Sequence, residues 1–145
     1  LSKFVTDFPT LELIERASIK NDVILLPHIG ASTQEAEINC AEMAAEQISN
    51  FLKNGIINNS VNFPTIRLSR STKYRLVVIN LNEPGMIGMI TDEIGALNIN
   101  IADMTHKTRD KIGISLIDLE TEPNNLLINN IQNLANVISI RVCKE

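Results

Sequence analysis

The sequence has few aromatic residues and no excess of positive charge. It contains four Phe, one Tyr and no Trp, and its 17 acidic side chains outnumber 13 basic ones. Nucleic-acid-binding surfaces cluster Lys and Arg against the phosphates, and single-strand binders add aromatic side chains on which bases stack. No stretch of this chain combines these features, so we expect no nucleic-acid partner.

Long apolar runs and a cysteine framework are also lacking. The longest runs, such as residues 23–26, fall far short of the roughly 20 residues that a membrane-spanning helix needs. The start, LSKFVTDFPT, lacks the basic stretch and apolar core of a secretory signal. Cys40 and Cys143 stand alone, without C-x-x-C spacing or a His/Cys cluster. We therefore expect two reduced thiols, no metal site, no membrane contact and a cytoplasmic location. The first residue is not Met, which hints at a longer parent protein.

The first 27 residues predict one strand–helix–strand unit. Residues 3–8 (KFVTDF) are β-branched and aromatic and stop at Pro9, and residues 11–17 suggest a short helix. Residues 23–26 form a continuous apolar run of the kind found in a parallel strand buried on both faces. Two strands are not a whole sheet, so their outer edges need partners that this chain does not obviously supply.

A long amphipathic helix is predicted next. Ser32 and Glu35 have capping-box spacing, and Gly55 is suited to a left-handed cap at the helix end. The apolar positions between them recur at three and four residues: Ala36, Cys40, Met43, Ala44, Ile48, Phe51 and Leu52. This helix either crosses between two domains or is an ordinary surface helix.

The second half changes character. Residues 56–72 are interrupted by Pro64 and end in a polar stretch, which indicates a return segment and linker. From residue 73 the pattern is regular: strands at residues 74–80, 99–108, 112–119 and 137–142, with helices opened by Pro84 and Pro123. The first helix has a stripe of Ile87, Ile90, Ile94 and Leu97. The order βαββαβ predicts a ferredoxin-like α+β domain with two helices on one face of an antiparallel sheet. We therefore divide the chain into 1–55, 56–72 and 73–145, an α/β piece followed by an α+β domain.

One turn of the second half suits a small ligand. The amides that begin the helix after Asn82 have no intrahelical partners and favour an anion such as a carboxylate. Gly85 lets a ligand approach the backbone, and Asn80, Asn82 and Asn100 offer amides that both donate and accept. Together these groups suit a zwitterionic amino acid. The alternative is that the Asn residues only form turns.

The motifs resemble known families. YRLVVINLNEPGMIG followed by NINIA resembles an ACT domain, the βαββαβ module that senses amino acids. PHIGASTQEAE, then a long helix, then SVNFP and an ACT domain is similar to the C-terminal part of the D-3-phosphoglycerate dehydrogenases. KFVTDFP resembles a strand of the dinucleotide domain in some members. The resemblance covers essentially the whole chain and implies an NAD-dependent oxidoreductase that oxidises 3-phosphoglycerate to 3-phosphohydroxypyruvate in L-serine biosynthesis.

The resemblance assigns roles to residues of the first half. It implies that His28 is the acid/base that exchanges a proton with the substrate hydroxyl, and that Gly30, Ala31 and Ser32 lie near the nicotinamide. No G-x-G-x-x-G occurs in the chain, and the family's substrate arginine and the carboxylate that orients the histidine are expected upstream of it. We therefore expect NAD in the parent enzyme, no tight NAD binding here, and no turnover by this chain alone.

For the second half the resemblance implies regulation. In the family, serine binds where two ACT domains pair side by side through their first strands, at positions that match Asn80, Asn82 and, from the other subunit, Asn100. The family often has His at the position that matches Asn80. Because an Asn side chain cannot carry charge, this difference favours a response to the effector that is weaker or independent of pH. Two alternatives stay open: the domain pairs with a second copy without binding an effector, or the parent acts on another 2-hydroxyacid.

Overall fold

The computed structural model describes residues 2–144. The chain divides into two compact units, the first ending at Met43 and the second beginning at Ala44. None of the helices within residues 2–144 combines the length and the apolar composition that a membrane span requires.

The first unit confirms the predicted strand–helix–strand order. It contains β1 (Phe4–Thr6), α1 (Leu11–Ile19) and β2 (Val23–Leu25), and β1 pairs with β2 in parallel. Thr10 begins the helix, because its side chain accepts a hydrogen bond from the Leu13 amide at 3.3 Å.

The expectation that residues 23–26 are buried on both faces is wrong within this chain. Only Val23 of β2 is buried, while Ile24, Phe4 and Phe8 are 38%, 55% and 70% exposed. A two-stranded sheet with one helix cannot cover both of its faces, so these apolar side chains stay in contact with solvent.

The long helix is α2 (Gln34–Asn54), which starts one residue later than the capping box predicts. Thr33, not Ser32, caps it, since the Thr33 hydroxyl accepts a hydrogen bond from the Ala36 amide at 3.2 Å. No residue of α2 is fully buried, and the stripe positions Ile48 and Leu52 are 59% and 58% exposed.

The second unit confirms the ferredoxin-like βαββαβ order. Its elements are β3 (Tyr74–Leu81), α3 (Met86–Ala96), β4 (Ile101–Arg109), β5 (Ile112–Leu119), α4 (Asn125–Asn133) and β6 (Val137–Lys144). All strand pairs are antiparallel, in the order β4-β5-β3-β6. The first strand of this domain, β3, therefore has a hydrogen-bonded neighbour on each side, and β4 and β6 form the edges.

One face of this sheet forms a core with α3 and α4. Ile90 and Ile94 of the predicted stripe are buried in it, as is Met86, whereas Ile87 is 43% exposed. Met86 lies four residues before Ile90 and continues the i, i+4 stripe, whereas Ile87 lies at the margin of that face; α3 itself begins at Met86, two residues after Pro84.

The opposite face of the sheet is also covered. Ile57 and Ile66, from the segment predicted to be a linker, pack with Val77 and Leu116 of the sheet. Gly55 allows this approach: its φ is +70°, and a Cβ there would lie 2.4 Å from Val77 Cγ2. The left-handed Gly55 that the sequence predicts thus also has a steric role.

A buried ion pair holds this segment to the sheet. Arg75 and Asp118 are both fully buried, and Arg75 Nε lies 2.6 Å from Asp118 Oδ1. The same guanidinium donates to the carbonyls of Asn54 and Leu68, and the amide and hydroxyl of Ser71 donate to Asp118. Burial favours a higher pKa for Asp118, but the hydrogen bonds from Arg75 and Ser71 outweigh it and hold the pKa below its ordinary value.

Candidate functional site

A cavity of about 260 Å³ lies where β3 turns into α3. Three of the four residues that the sequence singles out, Asn80, Asn82 and Gly85, line it. The rest of its lining comes from the start of α3 and from β4: Glu83, Met86, Ile87, Gly88, His106 and Thr108.

The start of α3 contributes backbone amides to this cavity, of which that of Met86 also donates to the Glu83 carbonyl at 3.5 Å. Gly85 is the N-cap with φ +87°, and no side chain caps the helix. The first amides of a helix lack intrahelical carbonyl partners and point away from the helix along its axis. Because residues 85–88 line the cavity, these amides form its positive end.

Asn80 supplies an unsatisfied acceptor. Its side chain is fully buried, and its Nδ2 donates to the carbonyl of Leu81 at 2.6 Å. Its Oδ1 has no hydrogen-bond partner among residues 2–144. A buried acceptor without a donor costs about 1–3 kcal/mol, and because Asn80 lines the cavity, a ligand N–H that reaches this oxygen would remove that cost.

Asn82 already forms hydrogen bonds within the domain. Its Nδ2 donates to the Asp110 carbonyl at 3.1 Å, and its backbone amide donates to the Lys111 carbonyl at 2.9 Å. These bonds tie the β3–α3 turn to the β4–β5 turn, as the turn-forming interpretation requires. The side-chain oxygen of Asn82 is the part that remains for a ligand.

Asn100 does not line this cavity. It immediately precedes β4, whereas His106 and Thr108 in the later half of that strand line the cavity. Its Nδ2 donates to Glu120 Oε2 at 3.2 Å. Within one chain, therefore, the structure brings together Asn80, Asn82 and Gly85 but not Asn100.

His106 and Thr108 are lining residues that sequence reasoning missed. They are two positions apart on β4 and so face the same side, a period-2 signal that was available in the sequence. His106 Nδ1 lies 2.8 Å from Ser115 Oγ, and burial of the ring lowers the pKa of His106 below its ordinary value. Gly113 leaves room for the side chains of Asn80 and His106, because a Cβ at this position would lie 2.9 Å from both Asn80 Nδ2 and His106 Cε1.

The sheet order corrects the expected mode of pairing. Since β3 is flanked by β5 and β6, its backbone has no free edge, and two copies cannot pair side by side through it. The strands with a free edge are β4 and β6, and of these β4 contributes to the cavity.

In the first unit, His28 already has a carboxylate partner. Its Nδ1 lies 3.1 Å from Asp7 Oδ2, and its ring packs edge-on against Phe8 with centroids 4.4 Å apart. The sequence analysis expects the carboxylate that orients this histidine upstream of the chain, whereas the structure places a carboxylate of the chain itself, that of Asp7, beside the imidazole. Sequence reasoning missed Asp7 because a lone carboxylate 21 positions away gives no local signal.

The residues after His28 form an open turn. Gly30, Ala31 and Ser32 are exposed, and a Cβ on Gly30 would meet nothing within 4 Å. Among the residues that the structure describes, no three His, Cys, Asp or Glu side chains come together as a metal site would need.

Several known proteins that are similar to this chain in sequence share the same enzyme name. No family model matches it. It is 36% identical over 124 residues to D-3-phosphoglycerate dehydrogenase of Haemophilus influenzae. The aligned region covers 84% of this chain and 30% of that protein. The enzyme of the same name from Dictyostelium discoideum is 33% identical over 122 residues, 83% of this chain and 30% of the relative.

Two solved structures of ACT domains are similar to about half of this chain. The ACT domain of GTP pyrophosphokinase from Chlorobium tepidum covers 48% of this chain with 94% of its own length, at a TM-score of 0.43 and 15% identity. An ACT domain protein from Streptococcus pneumoniae covers 49% of this chain with 86% of its own length, at a TM-score of 0.42 and 17% identity. The sequence matches decide the assignment: the chain belongs to the D-3-phosphoglycerate dehydrogenase family and spans about 30% of the length of the curated relatives it matches.

Proposed function

We propose that the second unit contains an ACT-type regulatory domain that binds a free amino acid, L-serine, in the cavity between α3 and β4. The observation that supports this most directly is the unsatisfied, fully buried Asn80 Oδ1 beside the uncapped start of α3. Asn80 and the amide end of α3 both line this one small cavity. An α-amino acid carries the matching ammonium and carboxylate groups.

A second copy would complete the site. If two β4 strands pair antiparallel about a two-fold axis, the start of one lies beside the end of the other. Asn100 precedes the start of β4, and Thr108 lies near its end in the wall of the cavity. This pairing therefore brings Asn100 of one copy to the cavity of the other, which the edge position of β4 permits.

We further propose that the parent protein is an NAD-dependent D-3-phosphoglycerate dehydrogenase, with His28 as the acid/base and Asp7 as the group that holds its imidazole. An imidazole takes and gives a proton near neutral pH, and a carboxylate at Nδ1 leaves Nε2 as the exchanging atom. NAD accepts the hydride in such an oxidation. Residues 2–144 offer no Gly-rich strand–turn–helix to hold it, and Gly30, Ala31 and Ser32 lie in an exposed turn. We therefore expect this chain alone to be inactive.

Calorimetric titration with L-serine, together with the molar mass in solution, tests the regulatory proposal. We expect heat of binding, loss of that heat in Asn80→Ala, and a dimer or larger assembly. A protein that stays dimeric and gives no heat at millimolar serine would instead support a domain that only associates.

The proposed activity of the parent protein is tested by comparing 3-phosphoglycerate with other 2-hydroxyacids as substrates of the full-length enzyme. A preference for another 2-hydroxyacid would overturn 3-phosphoglycerate as the substrate.

A further inference from the structure

We propose that His106 donates a hydrogen bond from Nε2 to the carboxylate of the effector and thereby makes effector binding stronger as the pH falls. This inference rests on the proposed amino-acid site and names a means of its regulation. It departs from the pH-insensitive response that the uncharged Asn80 suggests, because a second side chain of the same cavity can carry charge.

The contact with Ser115 sets the tautomer of His106. Ser115 is fully buried, and its hydroxyl has one hydrogen-bond partner among the described residues, His106 Nδ1 at 2.8 Å. If Nδ1 carried the proton, the serine hydrogen would be left buried without an acceptor, which is costly. The hydroxyl therefore donates to Nδ1, and the proton of the neutral ring is on Nε2.

The remaining polar groups assign the two ends of the ligand. Nε2 forms no hydrogen bond within residues 2–144, and His106 lines the cavity, so this N–H is free for a ligand. The start of α3 is likewise a donor surface, whereas Asn80 Oδ1 is an acceptor. We therefore expect the ammonium group at Asn80 and the carboxylate between α3 and His106.

Few other charges face the imidazole. β3 and β5 contribute the uncharged Asn80 and Ser115, and α3 contributes apolar side chains and its amide end. Glu83, in the turn before α3, is the other ionisable side chain in the lining of the cavity. Lys107, the neighbour on β4, is exposed and does not line the cavity. Variants at Glu83 and Lys107 therefore separate their titration from that of His106.

The direction of the pH effect follows from linkage. In the free protein, burial lowers the pKa of His106, so the ring is neutral at neutral pH. Protonation places a proton on Nδ1, so Ser115 Oγ becomes the acceptor and its own hydrogen loses its partner, a cost that is the same in the free and the bound protein. A bound carboxylate favours the protonated ring and raises that pKa. Because the two equilibria are reciprocal, affinity must increase as the pH falls through the interval between the bound and the free pKa.

Calorimetric titration of L-serine between pH ~8 and ~5 tests this, since the free zwitterion does not titrate there. We expect affinity to rise about tenfold in the wild-type protein, the size of effect that one charge-assisted hydrogen bond gives. His106→Leu should lose both affinity and pH dependence. His106→Gln keeps a donor without titrating, and should bind with affinity near that of the wild type at pH ~8 but show no rise. Glu83→Gln and Lys107→Gln should keep the rise.

Nuclear magnetic resonance of the two imidazoles separates this inference from the serine proposal. L-serine, and acetate as a bare carboxylate, should shift the titration of His106 upward, with the signals of His28 as an internal reference. Serine binding with an unmoved His106 titration overturns the role of His106 and leaves the serine site standing. No serine binding, but a shift with acetate, overturns serine as the effector and keeps His106 as a carboxylate donor. No response to either ligand overturns both.

Discussion

Arg75 and Asp118 face each other across neighbouring strands and are both fully buried, with two hydrogen bonds of 2.6 and 2.8 Å between guanidinium and carboxylate. Every nitrogen of Arg75 donates, because its third, Nη1, reaches the carbonyls of Asn54 and Leu68. The pair thus joins the end of α2 and the segment that follows it to the sheet.

Asp118→Asn should therefore destabilise the domain. It removes the charge that balances a buried guanidinium, and breaking a buried pair in this way typically costs about 3–5 kcal/mol in free energy of unfolding. Urea unfolding of the whole chain measures it. Glu122→Gln breaks the exposed pair of Glu122 with Lys144 and should change the midpoint little. Equal midpoints for the two variants would contradict a stabilising role for the buried pair.

The same carboxylate predicts a loss of stability in acid. Its folded-state pKa lies below the ordinary value, so its stabilising contribution is fully present above the pKa of an unfolded aspartate, about 3.9, and is lost as the pH falls through the folded-state pKa. The difference in unfolding free energy between wild-type protein and Asp118→Asn should accordingly be constant near neutral pH and shrink below pH ~4. A difference that shrinks already between pH ~7 and ~5 would assign the effect to another group.

Gly55→Ala should be costly for a steric reason. The position has φ +70°, and the added Cβ would lie 2.4 Å from Val77 Cγ2 and 2.9 Å from Leu116 Cδ2. Both the strained backbone and the overpacked core act against the variant, by about 2–4 kcal/mol together in unfolding free energy. Gly95→Ala is the matched control: it lies in α3, its Cβ meets nothing within 4 Å, and it should stabilise the helix by about 0.5–1 kcal/mol. A Gly55→Ala protein as stable as the wild type would show that this close packing is absent.

The elements of the second unit could be predicted because their signals are local. Alternating side chains mark β6, and the i, i+4 spacing of Ile90 and Ile94 marks α3. The covering of the second sheet face could not be predicted, since it depends on Gly55 meeting Val77, residues far apart in sequence. In the site, the turn residues Asn80, Asn82 and Gly85 have recognisable chemistry. His106 acquires its role only through its register with Ser115 and its nearness to Asn80 across Gly113.

Asp7→Asn should slow the full-length enzyme by misorienting its proton-transfer group. The amide can still contact His28 Nδ1 but no longer stabilises a charged ring, and positioned acid/base groups typically contribute 10²–10⁴-fold, so we expect a loss of about that order in kcat. A changed pH–rate profile together with an unchanged KM would distinguish this role from a merely structural one. Glu12→Gln, in the first turn of the helix α1 that follows Asp7 in the chain, tests a second carboxylate, and a larger effect there than at Asp7 would assign the orienting role to Glu12.

Mixing two variants tests whether Asn100 acts from a second copy. Asn82→Ala and Asn100→Ala should each weaken serine binding by about 1–3 kcal/mol, the usual cost of leaving a buried polar partner unpaired. If each site takes Asn82 from one copy and Asn100 from the other, a mixed dimer has one site with both changes and one intact site. Co-refolding the two variants should then restore high-affinity serine binding that neither shows alone. A site built within one chain would leave every site of the mixture defective, so the absence of restored binding, with mixed dimers confirmed by mass, would assign Asn100 to its own chain's site or to none. His28→Ala, in the first unit, should leave serine binding unchanged throughout.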